Sequence, residues 1–390
     1  MRSILRPAGF LGLDACEWAT IAIALAAATL PAVLPLMVGV LARQFGMGLD
    51  QAGYVIAINM GSILLGSLAC AVLGRRFSWF ALIVGGLLVM TAGNVLTLST
   101  SGLTALVATR LISGLGEGVV AACCYALMGQ ARLPGRSIAI YAGGQSIVGA
   151  AAMAVLPTLI AHHGWHVFYL LVVFAALPAF ALVPLAVRGR EQVQRAAGAG
   201  RPALNISAFG GLLAIFVFFV GLAMVWAFME RLGSARHLSL LQLSAAMSAS
   251  SLAGLAGSLA SGAVTDRLRL GIGLGFGIAL IVASLVMMFV GGFAPFTVGV
   301  CGLYFAWTFQ FPFLFECLVA VDRDGRATVL TPVATGGGLT IGPAIGGFVL
   351  QNGSLSLLCL TCLALTLAGT VLAWRIGGKR RSAAVEEATA

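Results

Sequence analysis

Apolar runs of about twenty residues, separated by short polar breaks, fill the chain almost from end to end. They fall at 18–41, 52–73, 79–98, 102–127, 138–160, 165–187, 207–229, 241–264, 271–292, 295–318, 327–350 and 355–375. A helix rises 1.5 Å per residue, so a run of ~20 apolar residues crosses the ~30 Å of a bilayer's hydrocarbon. Twelve such spans take about 240 residues and leave roughly 150 of the 390 for connections and tails, too few for a separate water-soluble domain. The pattern predicts an all-α membrane protein with twelve transmembrane helices.

Composition agrees. Hydrophobic residues make up 60% of the chain and charged residues 9%, against ~45–50% and ~25% in soluble domains. Soluble enzymes, folded basic nucleic-acid binders and secreted disulfide scaffolds are excluded on this ground. The net charge of +10 is explained by its placement. With the N-terminus in the cytoplasm, 18 of the 22 basic residues fall in inside segments, Arg43, Arg231 and Arg236 lie outside, and Arg110 is within a span. This positive-inside split places both termini in the cytoplasm and needs no nucleic acid as partner. All eight cysteines lie in or beside apolar spans. They read as small buried hydrophobes, including Cys359 and Cys362 despite their redox-motif spacing. Gly9 to Glu17 lacks a clean apolar core and a small-residue cleavage site, so the first span is expected to be retained.

The longest polar stretch, Arg188 to Arg201, stands just before the midpoint and reads as a cytoplasmic linker. An internal repeat supports that division. Gly66 to Ala69 recurs as Gly257 to Ala260 at an offset of 191, Gly135–Arg136 as Gly325–Arg326 at 190, and Gly143–Gly144 with Gly149 as Gly336–Gly337 with Gly342 at 193. Glycine and alanine are common here, so the near-constant offset carries the argument. The boundaries that follow are an N-terminal six-helix bundle at 1–187, a linker at 188–205, a C-terminal six-helix bundle at 206–376 and a cytoplasmic tail at 377–390. Two six-span halves in parallel resemble the major facilitator superfamily over essentially the whole chain. That resemblance implies alternating access around a midplane site, a small-molecule substrate, no cofactor, and a monomer in the bacterial inner membrane.

Three local patterns strengthen it. Gly262-Ala-Val-Thr-Asp266-Arg267-Leu-Arg269 is similar to the superfamily's loop signature. Gly262 would allow close packing at the membrane exit. Asp266 would sit against a helix N-terminus or a basic residue as a cytoplasmic latch, with Arg267 and Arg269 beside it. The equivalent first-half loop has Arg75 where the acid would be, so Arg75 and Arg76 read as topology-setting charge. Arg110-Leu-Ile-Ser113-Gly114-Leu-Gly116-Glu117-Gly118 on the fourth span resembles the pattern that the superfamily links to proton coupling. Independently of the resemblance, Arg110 and Glu117 are seven residues apart on one helix face, ~10 Å along the axis, as successive stations on a polar path. Charges inside lipid are costly and should face the bundle interior, where a glutamate is suited to binding and releasing a proton. Gly114, Gly116 and Gly118 would admit a neighbouring helix or substrate to the backbone. On the eleventh span, Gly338, Gly342, Pro343, Gly346 and Gly347 resemble the superfamily's antiporter signature, although that signature belongs on the fifth span. There the chain reads Gln145 to Met153, without the proline.

Other features are less specific. Asn59, Gln145 and Gln310 lie within spans as candidates for lining a cavity, and Trp226, Tyr304 and Trp307 would suit a flat or amphipathic solute. Pro31 and Pro35 would bend the first span. Glu316 and Glu230 fall near span ends, and the four histidines, His162, His163, His166 and His237, near the outer surface, where a metal or pH-sensing role is weakly supported. The expected function is proton-coupled transport of a small organic solute, leaning to export by antiport, with symport uptake of an organic acid as the alternative. A carboxylate substrate would use Arg110 and a cation Glu117. A non-transporting receptor or scaffold would tolerate neutralising both. The chain has no phosphate-cradling loop, metal cluster or nucleophile elbow, so an enzyme and an ATP-driven pump are not expected.

Overall fold

The computed structural model describes residues 12–32, 49–74, 76–100, 102–189, 205–265, 267–322 and 325–389. The first half contains α1 (Ala15–Ala27), α2 (Thr29–Ala32), α3 (Leu49–Leu73), α4 (Trp79–Thr97), α5 (Leu103–Gly129), α6 (Pro134–His163) and α7 (Val167–Ala186). The second contains α8 (Ile206–Ala227), α9 (Met229–Ser234), α10 (Leu240–Val264), α11 (Leu270–Phe289), α12 (Phe293–Val321), α13 (Arg326–Val329), α14 (Thr331–Asn352) and α15 (Leu355–Thr389). No strand occurs among the described residues.

Local chemistry starts and stops these helices. Asp14 and Glu17 form a capping box at α1, each side chain accepting the other's backbone N–H at 2.8 and 2.7 Å. Ser239 and Gln242 repeat the device at α10. Pro134 opens α6, where a missing N–H costs nothing. Gly164 (φ +78°) ends it in a conformation that L side chains rarely adopt. The first expected span is broken: α1 stops at Ala27 and α2 resumes at Thr29. The physical reason is Pro31, which cannot donate to the carbonyl four residues back and crowds it. Pro35 lies outside the described residues. At the other end, α15 runs past the expected span limit at 375 to Thr389, through Lys-, Arg-, Ala- and Glu-rich sequence of high helix propensity.

Eight of the helices are long and apolar enough to cross a membrane: α4, α5, α7, α8, α11, α12, α14 and the first part of α15. The four remaining expected spans also fall on helices. The first, as far as it is described, lies on α1 and α2, the second on α3, and the other two on α6 and α10. The chain is a multi-pass membrane protein.

Contacts divide the chain into two compact units, Met1–Leu133 with Val148–Arg201 and Pro134–Ile147 with Pro202–Ala390. The start of α6 therefore packs with the second unit and its remainder with the first. The expected linker at 188–205 lies almost wholly outside the described residues. In the first unit α5 is central, packed on α1, α3 and α4, while α7 packs on α1 and α4. The second unit repeats the scheme: α12 packs on α8, α10 and α11, and α15 packs on α8 and α11. The repeated glycine sits at matching crossings. A Cβ on Gly66 would strike the Leu115 carbonyl on α5, and one on Gly257 would strike the Phe305 carbonyl on α12. The offset between those carbonyls is 190, close to that of the glycines, so the duplication extends from sequence to backbone register.

Candidate functional site

The first unit encloses a polar network built on α5. Arg110 is fully buried and Glu117 is 2% exposed. Small residues bring the neighbouring helices close enough to enclose them. A Cβ on Gly116 would collide with α4 at Met90 and Gly86, and one on Gly114 or Gly118 would collide with α3 near Asn59, Ser62 and Ile63. These three glycines form the packing surface of the fourth span.

The guanidinium of Arg110 donates from Nη1 to Asn94 Oδ1 at 3.2 Å and from Nη2 to the Gly93 carbonyl at 3.3 Å, with a further bond to the Thr97 hydroxyl. Its carbon lies 4.4 Å from the centroid of the Tyr169 ring on α7, a cation–π contact. Asn94 donates from Nδ2 to Ser113 Oγ at 2.9 Å, and Ser113 Oγ donates to Glu117 Oε1 at 2.8 Å. The two charged residues, two turns apart, are thus joined through one amide on α4 and one hydroxyl on α5. Asn59, also fully buried, lies beside the Glu117 carboxyl from α3. Glu117 Oε2, Arg110 Nε and both polar atoms of the Asn59 side chain have no hydrogen-bond partner. The structure therefore brings together Arg110, Glu117 and Asn59. It adds Asn94, Thr97, Ser113 and Tyr169, to which the sequence reading gave no role. Asn94 carried a usable signal, as an amide in the middle of an apolar span. Tyr169 carried none, because a tyrosine near a span end reads as an interfacial aromatic.

In the second unit, Trp226 stacks on Tyr304 with centroids 5.1 Å apart and planes at 22°, and Trp307 meets both edge-on at 6.3 and 5.9 Å. Gly254 makes room for the Tyr304 ring, and Thr308 Oγ1 donates to the Gly254 carbonyl at 2.7 Å. All three rings are part-buried. Gln310 does not line open space: it is fully buried and donates from Nε2 to Thr370 Oγ1 at 2.7 Å, fastening α12 to α15. Gln145 is half-buried on α6. Gly338, Gly342 and Gly346 form one ridge of α14 against α8, where added Cβ atoms would lie 2.6–2.7 Å from Phe219, Val220 and Met224. Gly347 is at ordinary distance from Phe228, and Pro343 lies within the same helix.

Of the loop pattern, Gly262 accepts a hydrogen bond on its carbonyl from Arg136 Nε at 3.0 Å, a cation at the C-terminal end of α10. Arg267 and Arg269 are exposed. Asp266 and Arg75 lie outside the described residues; Arg76 is exposed. Glu316 is half-buried near Gly135, and the backbone of Glu230 lies on α9. His162, His163 and His237 are exposed, and His166 stacks on Trp165 with centroids 4.2 Å apart. All eight cysteines are free, with Cys70 and Cys123 facing each other at 3.4 Å. No group of three or more His, Cys, Asp or Glu side chains able to hold a metal occurs among the described residues.

A family model described as the Major Facilitator Superfamily matches residues 19–320. No curated protein matches the sequence significantly. Among solved structures, a bacterial homologue of the iron transporter ferroportin in its outward-facing state is similar, with a TM-score of 0.72 and 13% identity over 93% of this chain and 99% of that one. The human organic anion transporter MFSD10 (TETRAN) matches with a TM-score of 0.69 and 18% identity over 92% and 98% of the two chains. FucP, a Major Facilitator Superfamily transporter in the outward conformation, matches with a TM-score of 0.68 and 15% identity over 93% and 99%. Identities this low speak to the fold.

Proposed function

The chain belongs to the Major Facilitator Superfamily, whose fold supports secondary transport by alternating access, and we propose that it couples proton movement to export of a small organic solute. One observation carries this reading: the enclosed Arg110–Asn94–Ser113–Glu117 network, which ends in a carboxyl with one unpartnered oxygen. A carboxyl and a guanidinium are costly inside a lipid-spanning unit and persist where they have work. Glu117 is the proton carrier, and Asn94 and Ser113 relay its charge state to Arg110. The flat aromatic surface of Trp226, Tyr304 and Trp307 favours a planar or amphipathic solute. The glycine-and-proline run of α14 favours antiport. Symport of an organic acid stands second, because it would need Arg110 as counter-ion and both Nη groups of Arg110 are already engaged. The protein acts as a monomer in the bacterial inner membrane, with both termini in the cytoplasm.

A deletion strain screened against a panel of organic acids and amphipathic drugs tests direction: sensitivity supports export, and failure to grow on one carbon source supports import. The compound so found is then followed in proteoliposomes under an imposed pH gradient. Glu117→Gln should abolish gradient-driven accumulation and leave counterflow intact, while Arg110→Ala should damage both. Normal concentration of the compound by Glu117→Gln would overturn the proton assignment, whereas a wild type that moves nothing would be the behaviour of a non-transporting scaffold.

A further inference from the structure

The hydrogen bonds that join Arg110 to Glu117 all run one way. Arg110 Nη1 donates to Asn94 Oδ1 at 3.2 Å. Asn94 Nδ2 donates both to the Met90 carbonyl at 2.8 Å and to Ser113 Oγ at 2.9 Å, and Ser113 Oγ donates to Glu117 Oε1 at 2.8 Å. The Asn94 amide has only this orientation open to it. Turned over, it would set Nδ2 against a guanidinium that only donates, and Oδ1 against a carbonyl that only accepts. Asn94 is fully buried, so no water would relieve either mismatch.

The fixed amide fixes the hydroxyl in turn. Ser113 Oγ takes an Asn94 hydrogen on one lone pair, which leaves its single hydrogen for Glu117 Oε1. Oε1 is therefore held as an acceptor, whereas Oε2 has no hydrogen-bond partner among the described residues. We propose that Asn94 is a positioning residue that makes Ser113 a one-way donor to Glu117, so that the coupled proton is taken up and released at Oε2 alone. On uptake a proton from water forms the Oε2–H bond and neutralises the carboxylate. On release that bond breaks, and the proton returns to water. The bond from Ser113 to Oε1 lasts through both steps and is stronger to the carboxylate than to the acid. The network passes no proton towards Arg110, because neither the amide nitrogen nor the guanidinium accepts a hydrogen. The proposal rests on the reading of Glu117 as proton carrier.

Among the described side chains, few other titratable groups belong to the helices packed here. On α5 they are Arg110, held by α4 and stacked on Tyr169 of α7, with Cys123, Cys124 and Tyr125 further along. α3 contributes Cys70, which faces Cys123 at 3.4 Å, and otherwise neutral groups such as Asn59 and Ser62. α1 contributes Cys16 and Glu17, whose carboxyl accepts from the backbone N–H groups of Arg132 at 3.0 Å and Asp14 at 2.7 Å. α4 carries no titratable side chain.

The test is an infrared pH titration of the purified full-length chain in lipid nanodiscs, with the proton as the only ligand. A carboxylic C=O band that appears on acidification and is missing in Glu117→Gln belongs to Glu117. With the proton on Oε2, the C=O oxygen is Oε1, which accepts from Ser113. Ser113→Ala should therefore move the band to higher wavenumber, and loss of a donor to the carboxylate should raise its midpoint by about one pH unit. Asn94→Ala should raise the midpoint in the same direction, and adding it to Ser113→Ala should raise it no further, since Asn94 acts through that hydroxyl. Ser113→Thr, which keeps the hydroxyl, should return band and midpoint towards wild type. If Asn94→Ala does not fold, Asn94→Leu, which fills the space, carries the same expectations. A midpoint unmoved by the Asn94 variant, or shifts that add in the double variant, overturns the role of Asn94 and leaves Glu117 as carrier. A band that keeps its position in Ser113→Ala overturns loading at Oε2. A wild-type spectrum with no Glu117 band at any pH overturns the carrier reading itself, and this inference with it.

Discussion

At the scale of single residues, burial decides what a polar group can do. Arg110 is so fully enclosed and so well bonded that its charge organises its own unit before it can attract anything else. Ser113 illustrates how little is needed to link two charges: one hydroxyl accepts from Asn94 and donates to Glu117. Outside the spans, Asp322 shows the same competition between burial and bonding. Burial pushes its carboxyl above the usual range, more strongly than hydrogen bonds from the Thr328, Ala327 and Arg326 backbones pull it down. Its Oδ2 accepts from the Thr328 N–H at 2.7 Å and so caps α13 from outside the helix. A carboxyl that holds its proton more tightly when folded contributes stability at low pH that is lost as pH rises through its folded value. Asp322→Asn keeps an acceptor and removes the charge. Its apparent Tm in detergent should therefore gain on wild type as pH is raised from about 4 to about 7, whereas Asp322→Ala, with α13 uncapped, should lose about 1 kcal/mol at neutral pH. A gap between Asn and wild type that does not change with pH would contradict this account.

At the scale of helices, the units are assembled by close backbone approach at small residues. Inside a bilayer there is little hydrophobic drive between helices, so contact area and near backbone packing take over. Gly116 against Met90 and Gly86 is the tightest such point between α4 and α5. Gly116→Leu should force the pair apart, and with it break the bond that Arg110 donates to Asn94. We expect loss of monodisperse protein on size-exclusion chromatography, whereas Leu115→Ala, one residue earlier at a 38% exposed position, should behave as wild type. Equal behaviour of the two variants would show that the α4–α5 crossing tolerates widening. The element scale was largely legible in advance. Helix positions followed the apolar runs, and caps such as Asp14 with Glu17 are written in the local sequence. The break at Ala28 traces to Pro31, while the extension of α15 follows from helix propensity in residues 377–389, expected only as a tail.

For the molecule as a whole, the parallel duplication sets the plan. α3 with α5 and α10 with α12 are equivalent crossings, down to the glycine and the carbonyl that it meets. The charge distribution adds an orientation. Reporter domains that are active only in the cytoplasm should function when fused after Ala390 and fail when inserted at Gly164, between α6 and α7; activity at Gly164 would invert the proposed topology. The two units carry different chemistry under one fold, with a buried polar relay in the first and an aromatic surface in the second.

Sequence alone determined the membrane, the helical class and the repeat, and singled out Arg110 and Glu117 as charges inside one span, because each depends on local composition or on spacing along one helix. Only the tertiary structure decided that Asn94 and Tyr169 enclose the arginine, that Asn59 meets the glutamate, and that Gln310 is tied to Thr370. Those partners come from other helices at chain separations with no fixed period, and what brings them together is the depth at which glycine lets one backbone settle against another.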